Sequence, residues 1–208
     1  EKFHGPTTLR DALAKSRNVV TIKILKDIGA RSAIALAETL GIESPLSENL
    51  SLALGSSAVS LLELTKAFGV FASQGVKTSP IFITKVVDRN GAVLEENTPI
   101  MEEALSPGTS FIITNLLQGV VENGTGRRAK ALGRPVAAKT GTTNNLNDAW
   151  FVGYVPGLTA GAWIGYDSEK TLGRGETGSR AASPIWIKFM ENALSGTKIK
   201  NFPVPNGI

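Results

Sequence analysis

With 208 residues, 42% hydrophobic and 19% charged, the chain can build one sizeable core or a large piece of a bigger one. Its net charge of +4 comes from scattered basic residues with little aromatic interleaving, which argues against nucleic-acid binding. Cysteine is absent and His4 is the sole histidine, so disulfides, thiolate chemistry, zinc sites and a serine–histidine triad are set aside; no metal and no cofactor is expected.

The chain opens on Glu1-Lys2-Phe3-His4-Gly5 without a charged-then-apolar leader, so a preceding segment is expected, and His4 reads as a surface residue. Thr8 and Asp11 resemble a capping box that opens a helix through about Lys15. Val20, Ile24, Leu25 and Ile28 have helical spacing, and Gly29 can stop that helix. Ser16-Arg17-Asn18 therefore falls at the junction of two helices. Arg31 to Leu40 predicts a third, closed by Gly41, and the polar Glu43 to Asn49 stretch predicts a loop.

Ser60 and Glu63 form a second capping box ahead of Leu61, Leu64, Phe68 and Phe71, with an end at Gln74-Gly75. A hairpin is expected next: Phe82 to Val87, a turn over Asp88-Arg89-Asn90-Gly91, then Val93-Leu94. Ser106-Pro107 starts a helix that runs to about Asn123-Gly124. The pattern then turns to strands: Val136 to Lys139, Ala149 to Val155, and Leu158 to Tyr166, the last two joined at Pro156-Gly157. Ser183-Pro184 opens a final helix with Ile185, Trp186, Phe189, Met190 and Ala193 on one face. There is no internal repeat, no clear linker, and no stretch near the roughly 20 apolar residues of a membrane span.

Three features could carry chemistry: Lys139-Thr140-Gly141-Thr142, Ser16-Arg17-Asn18, and Gly124-Thr125-Gly126-Arg127-Arg128. On a strand, Lys139 and Gly141 share one face while Thr140 and Thr142 share the other. At a cleft the lysine supplies positive charge, Gly141 lets a substrate backbone lie close, and the threonine hydroxyls can donate to a carboxylate. Chance gives on the order of 0.1 Lys-Thr-Gly triplets at this composition but about one Ser-x-Asn, and Ser47-Glu48-Asn49 is a second match. Ser16 is preferred because it lies at a helix junction. Plainer readings stand beside these: Lys139 as a solvated strand lysine, Ser16 as a helix cap, Arg127 and Arg128 as surface, and Trp150, Trp163 and Trp186 as packing.

The set Ser-x-x-Lys, Ser-x-Asn and Lys-Thr-Gly belongs to penicillin-binding proteins and class A β-lactamases. This chain resembles the class A, bifunctional penicillin-binding proteins. The likeness is carried in order by Thr8 to Asn18, Leu54 to Gly75, Gly124 to Ala129, Lys139 to Asn144, Asp148 to Tyr154, and Ala182 to Trp186. It implies an α+β fold of the penicillin-binding/β-lactamase-like type: an antiparallel sheet flanked by helices plus a helical subdomain, incomplete at its N-terminal side. Residues 1–208 are expected to be the C-terminal part of a single transpeptidase domain. Within it, 1–75 is mainly helical, 76–135 a hairpin and helix, and 136–208 the sheet strands and final helix.

The resemblance also implies an activity. A serine of Ser-x-x-Lys would attack the D-Ala-D-Ala stem of peptidoglycan and pass the acyl group to an amine of a neighbouring stem peptide. Ser16 would relay protons, Asn18 hold the substrate amide, Lys139 supply the field, and Thr140 and Thr142 bind the carboxylate. Gly141 would line the substrate, and Arg127, Thr143 and Asp148 would lie near the cleft. β-Lactams would acylate the same serine. A Ser-x-x-Lys does occur, Ser195-Gly196-Thr197-Lys198, but in a polar tail after the last helix, so the nucleophile is expected outside this chain. The partners implied are stem peptides, β-lactams, and an N-terminal part of the same protein, as one chain or as two. The location implied is the bacterial cell envelope, at the extracytoplasmic face of the inner membrane, with an anchor elsewhere in the protein. Wall biogenesis, cell shape and β-lactam resistance come with it. A serine β-lactamase-like hydrolase and a nucleophile-less binding or structural module are the alternatives.

Overall fold

The computed structural model describes residues 5–208, so His4 and the residues before it lie outside the described part. Local sequence sets the first helices. Thr8 Oγ1 accepts from Asp11 N at the start of α1 (Leu9–Ala14), and the buried Ala12 and Ala14 face inward. α2 (Asn18–Ile28) and α3 (Ala30–Thr39) follow, separated by Gly29. The Glu43 to Asn49 stretch is irregular as expected, and a short 3-10 turn at Leu50–Leu54 comes after it. α4 (Leu61–Ala72) starts on the full reciprocal capping box of Ser60 and Glu63. The Glu63 carboxylate also accepts from Glu43 N and from Ser44 N and Oγ, which ties the loop to the helix start; its bonds with Ser60 first, then those from Ser44 and Glu43, hold its pKa far below the ordinary range.

The middle of the chain is a pair of two-stranded antiparallel ribbons. One pairs β1 (Val76–Thr78) with β4 (Met101–Glu103); the other pairs β2 (Lys85–Val87) with β3 (Val93–Glu96). The expected hairpin turn is closed by Asp88 Oδ1, which accepts from Asn90 N and Ala92 N. Its first strand begins at Lys85 rather than Phe82, and the outer β1–β4 ribbon went unforeseen. Strands of three residues are too short to show a period.

Three longer strands, β5 (Ala137–Thr142), β6 (Ala149–Val155) and β7 (Leu158–Ile164), form one antiparallel sheet in chain order. β5 extends past the expected end at Lys139 because the partners Phe151, Trp150 and Ala149 continue the ladder to Thr142. β7 stops at Ile164, two residues before the expected end at Tyr166. The alternation of side chains then builds three layers. One face presents Ala138, Ala149, Phe151, Val155, Ala160 and Ala162 to α6 (Ser183–Ala193), whose Trp186 and Met190 are fully buried. Trp186 packs at a tilt on Phe151, 5.0 Å between ring centroids, and donates from Nε1 to the Ala160 carbonyl at 2.9 Å.

The opposite face presents Ala137 and Tyr154 to Leu117 and Val120 of α5 (Pro107–Asn123), with Phe68 of α4 and Phe202 of the tail packed alongside. Tyr154 shares a 2.8 Å hydrogen bond with Thr114 Oγ1, and burial raises its pKa well above the phenol range. Each such large side chain contributes about 1.5–3 kcal/mol by leaving water. α1 is fastened to α5 by Arg10, which donates to the Asn115 side chain at 2.7 Å and its carbonyl at 3.1 Å. That contact fixes where the α1–α2 junction stands relative to β5. No helix among the described residues is long and apolar enough to cross a membrane.

Candidate active site

The end of α1 has an unusual occupant. Arg17 N donates to Ala12 O at 2.9 Å and Ser16 N to Leu13 O at 3.2 Å, the two bonds of a Schellman motif, which needs a left-handed residue at its penultimate position. That residue is usually glycine. Here it is Ser16, at φ 52°. Ser16 is exposed and projects its hydroxyl from the turn, and Asn18 is the exposed first residue of α2. Among the described residues the Asn18 side chain has no hydrogen-bond partner.

Across from this turn stands β5. Lys139 lies on the α5 side of the sheet, and its Nζ donates to Ser16 Oγ at 2.9 Å, across 123 positions of sequence, and to the Thr140 carbonyl at 3.0 Å. Removal from water lowers the Lys139 pKa to about 8. An ammonium donor at Ser16 Oγ fills an acceptor site of that hydroxyl and leaves the serine hydrogen free for a third group.

Thr140 and Thr142 point to the α6 side. Thr142 Oγ1 accepts from Gly178 N at 3.0 Å, and Thr140 Oγ1 lies 2.7 Å from Thr125 Oγ1. Gly178 sits flat on the β5–β6 backbone, where a Cβ would overlap the Trp150 and Gly141 carbonyl oxygens. Gly141 lies on the α5 side of β5, paired with Trp150 of β6. A Cβ there would lie 3.1 Å from the Trp150 Cβ, so the cross-strand tryptophan occupies that space.

The remaining cleft candidates have local roles. Thr143 Oγ1 accepts from Asn147 N and Asp148 N, and Asp148 Oδ1 accepts from Trp163 Nε1 at 2.9 Å, which closes the β5–β6 loop. Arg127 is exposed at the start of a 3-10 turn, Arg127–Leu132. Of the tryptophans, Trp186 is core, while Trp163 stays 39% exposed against Trp150 at 6.2 Å between ring centroids. Ser195 follows α6 at the other end of the sheet, where Thr197 and Lys198 line a hollow with Pro156, Gly157 and Arg134. The structure thus gathers Ser16, Lys139 and Thr140 in one place and keeps Ser195 away from it. Thr125 and Gly178 belong to the same place. The Gly-Thr-Gly run drew notice in the sequence, but no spacing rule joins positions 125 and 178 to 140 and 142.

The chain as a whole is similar to known proteins of one family. A family model described as the penicillin binding protein transpeptidase domain matches residues 1–191. The chain is similar to penicillin-binding protein 1A of Aquifex aeolicus (strain VF5), at 43% identity over 205 residues, covering 99% of this chain and 28% of that protein. Penicillin-binding protein 1A of Neisseria gonorrhoeae is 38% identical over 214 residues, with 100% of this chain and 27% of that protein covered. Among solved structures, penicillin-binding protein 1A of Haemophilus influenzae superposes with a TM-score of 0.93 at 25% identity, covering 99% of this chain and 37% of that one. The PonA1 protein of Mycobacterium tuberculosis, solved in complex with penicillin V, gives 0.88 at 27% identity, covering 100% of this chain and 61% of that one. The chain therefore spans a little over a quarter of the length of these curated relatives.

Proposed function

The chain belongs to the penicillin-binding protein transpeptidase domain family, with its α+β fold, and from that premise we propose that it forms one wall of a peptidoglycan DD-transpeptidase site. The reaction would be cross-linking of stem peptides through a serine acyl-enzyme. The nucleophile is a Ser-x-x-Lys serine outside these 208 residues. It adds to the penultimate D-alanyl carbonyl, the carbon–nitrogen bond breaks, D-alanine leaves with the transferred proton, and an amine of a second stem takes the acyl group.

Each residue here has an assigned part. Ser16 passes the proton to the departing nitrogen, because the ammonium on its oxygen directs its own hydrogen outward. Lys139 keeps positive charge beside the developing oxyanion, and Asn18 holds the substrate amide. Thr140 and Thr142 donate to the terminal carboxylate, and the Thr142 N–H completes an oxyanion hole with the nucleophile's own N–H. The 2.9 Å contact of Lys139 Nζ with Ser16 Oγ is the single observation that carries this reading. It joins two motifs that are distant in sequence on one solvent-facing wall.

The partners follow from the reaction: stem peptides, β-lactams, and an N-terminal part of the same protein, for which the outer edge of β7, unpaired among the described residues, offers a place. The setting would be the extracytoplasmic face of the inner membrane, with contributions to wall biogenesis, cell shape and β-lactam resistance. Intact mass spectrometry of the complete polypeptide after exposure to a fluorescent penicillin tests the proposal. A stable adduct of one penicilloyl group is expected, with the rate of its formation cut about 100-fold or more in Lys139→Ala. No adduct on the complete polypeptide would end the reading, and rapid nitrocefin turnover in place of an adduct would move it to a hydrolase.

A further inference from the structure

Two neighbours of the carboxylate-facing hydroxyls have no part in the scheme so far. One is Gly178 N, an obligate donor to Thr142 Oγ1 at 3.0 Å. The other is Thr125, whose hydroxyl lies 2.7 Å from Thr140 Oγ1. A hydroxyl carries one hydrogen and two acceptor sites. When a neighbour donates to it, its own hydrogen must go elsewhere. Gly178 does this for Thr142. Between Thr125 and Thr140 either hydroxyl can donate, and Thr125 as the donor would do the same for Thr140.

Thr125 also reaches the opposite wall. Its backbone N–H donates to Ala14 O at 3.0 Å, two residues before Ser16. The residue ahead of it, Gly124, presses on the same peptide so closely that a Cβ would overlap the Ala14 carbonyl. Val120 O caps the turn by accepting from both Gly124 N (3.1 Å) and Gly126 N (3.0 Å). One residue therefore touches the helix end that presents Ser16 and the strand that presents Lys139 and Thr140. Its side chain bonds to one wall and its main chain to the other.

We propose that Thr125 is a positioning residue of this site: it locks the α1–α2 junction against β5 and donates to Thr140, so that the Thr140 hydrogen faces a ligand's carboxylate. The inference rests on the reading of Thr140 as a carboxylate donor given above. With valine at 125 the Thr140 hydroxyl loses that donor and is free to rotate away from the ligand, so carboxylate recognition weakens while the charge of Lys139 remains.

The test is the preference for a carboxylate, which a purely structural role would not alter. Acylation rates of the complete polypeptide are measured with benzylpenicillin and with its methyl ester, for wild type, Thr125→Val and Thr125→Ser. The expected result is a wild-type preference for the free acid that falls about tenfold in Thr125→Val and is rescued to within about twofold in Thr125→Ser, which keeps the hydroxyl. If Thr125→Val does not fold, Thr125→Ala is read by the same ratio. An unchanged ratio in the variant lacking the hydroxyl, or an equal loss toward both compounds, overturns the inference alone. No acylation of wild type by either compound overturns the transpeptidase reading and this inference with it.

Discussion

Lys139 is held between two demands. Its chain crosses a packed sheet edge, which disfavours charge, while its ammonium must donate to Ser16 Oγ. The compromise is a pKa lowered to about 8 by desolvation, which leaves the group protonated at neutral pH but close to losing its proton. Its folded-state value lies below the ordinary 10.5, so burying the charge penalises the native state in full below pH 8. That penalty is relieved as pH rises from about 8 toward 10.5, and this group's contribution to stability increases across that window. Activity should move the other way. Acylation by a carboxylate-bearing penicillin is expected to fall as pH passes about 8, and Lys139→Arg should flatten that limb while lowering the plateau rate. A pH–rate profile of the complete polypeptide decides it; a limb that stays in place in the arginine variant would refute the assignment.

Helix ends place the functional groups, and three of them are built alike. α3 ends on Gly41, with Ile42 N donating to Ala37 O; α4 ends on Gln74, with Gly75 N donating to Val70 O; α1 ends on Ser16. The glycine at 41 is unstrained, whereas Ser16 holds φ 52° with a Cβ in the way. Ser16→Gly is therefore expected to raise stability by about 0.5–1 kcal/mol while abolishing proton relay. Denaturant midpoints and penicillin acylation measured side by side test this. A variant that is less stable than wild type would show that the serine side chain supports the turn. Capping boxes and prolines made most helix starts legible in the sequence, at Thr8, Ser60, Ser106 and Ser183. The β1–β4 ribbon was not legible, because Val76–Thr78 and Met101–Glu103 are three residues each and pair across the whole intervening β2–β3 hairpin.

At the scale of the molecule, α4 and α5 cover one face of the β5–β6–β7 sheet and α6 covers the other, yet the outer edge of β7 has no partner among the described residues. The helices on both faces leave large apolar side chains in water: Leu62 on α4, Ile185 and Phe189 on α6, each close to half exposed or more. An open edge flanked by such groups favours pairing with another strand. The 208-residue chain alone is thus expected to self-associate, and its complement, once supplied, to suppress this. Sedimentation velocity that returns one compact 21.9 kDa species at micromolar concentration would contradict that expectation.

Sequence by itself determined the helix starts, the strand alternation and the order of the motifs, because caps, turns and side-chain period act over a few residues and are written in neighbouring positions. It also marked Ser16, Asn18 and Lys139-Thr140-Gly141-Thr142 as the groups to watch. Only the tertiary structure decided that Lys139 meets Ser16, that Trp150 occupies the space beside Gly141, and that Thr125 and Gly178 bond to the two threonine hydroxyls. Those contacts span from 9 to 123 positions, and their geometry comes from the β5–β6 register and from how α5 and the 178–182 turn seat on the sheet, which no local pattern encodes.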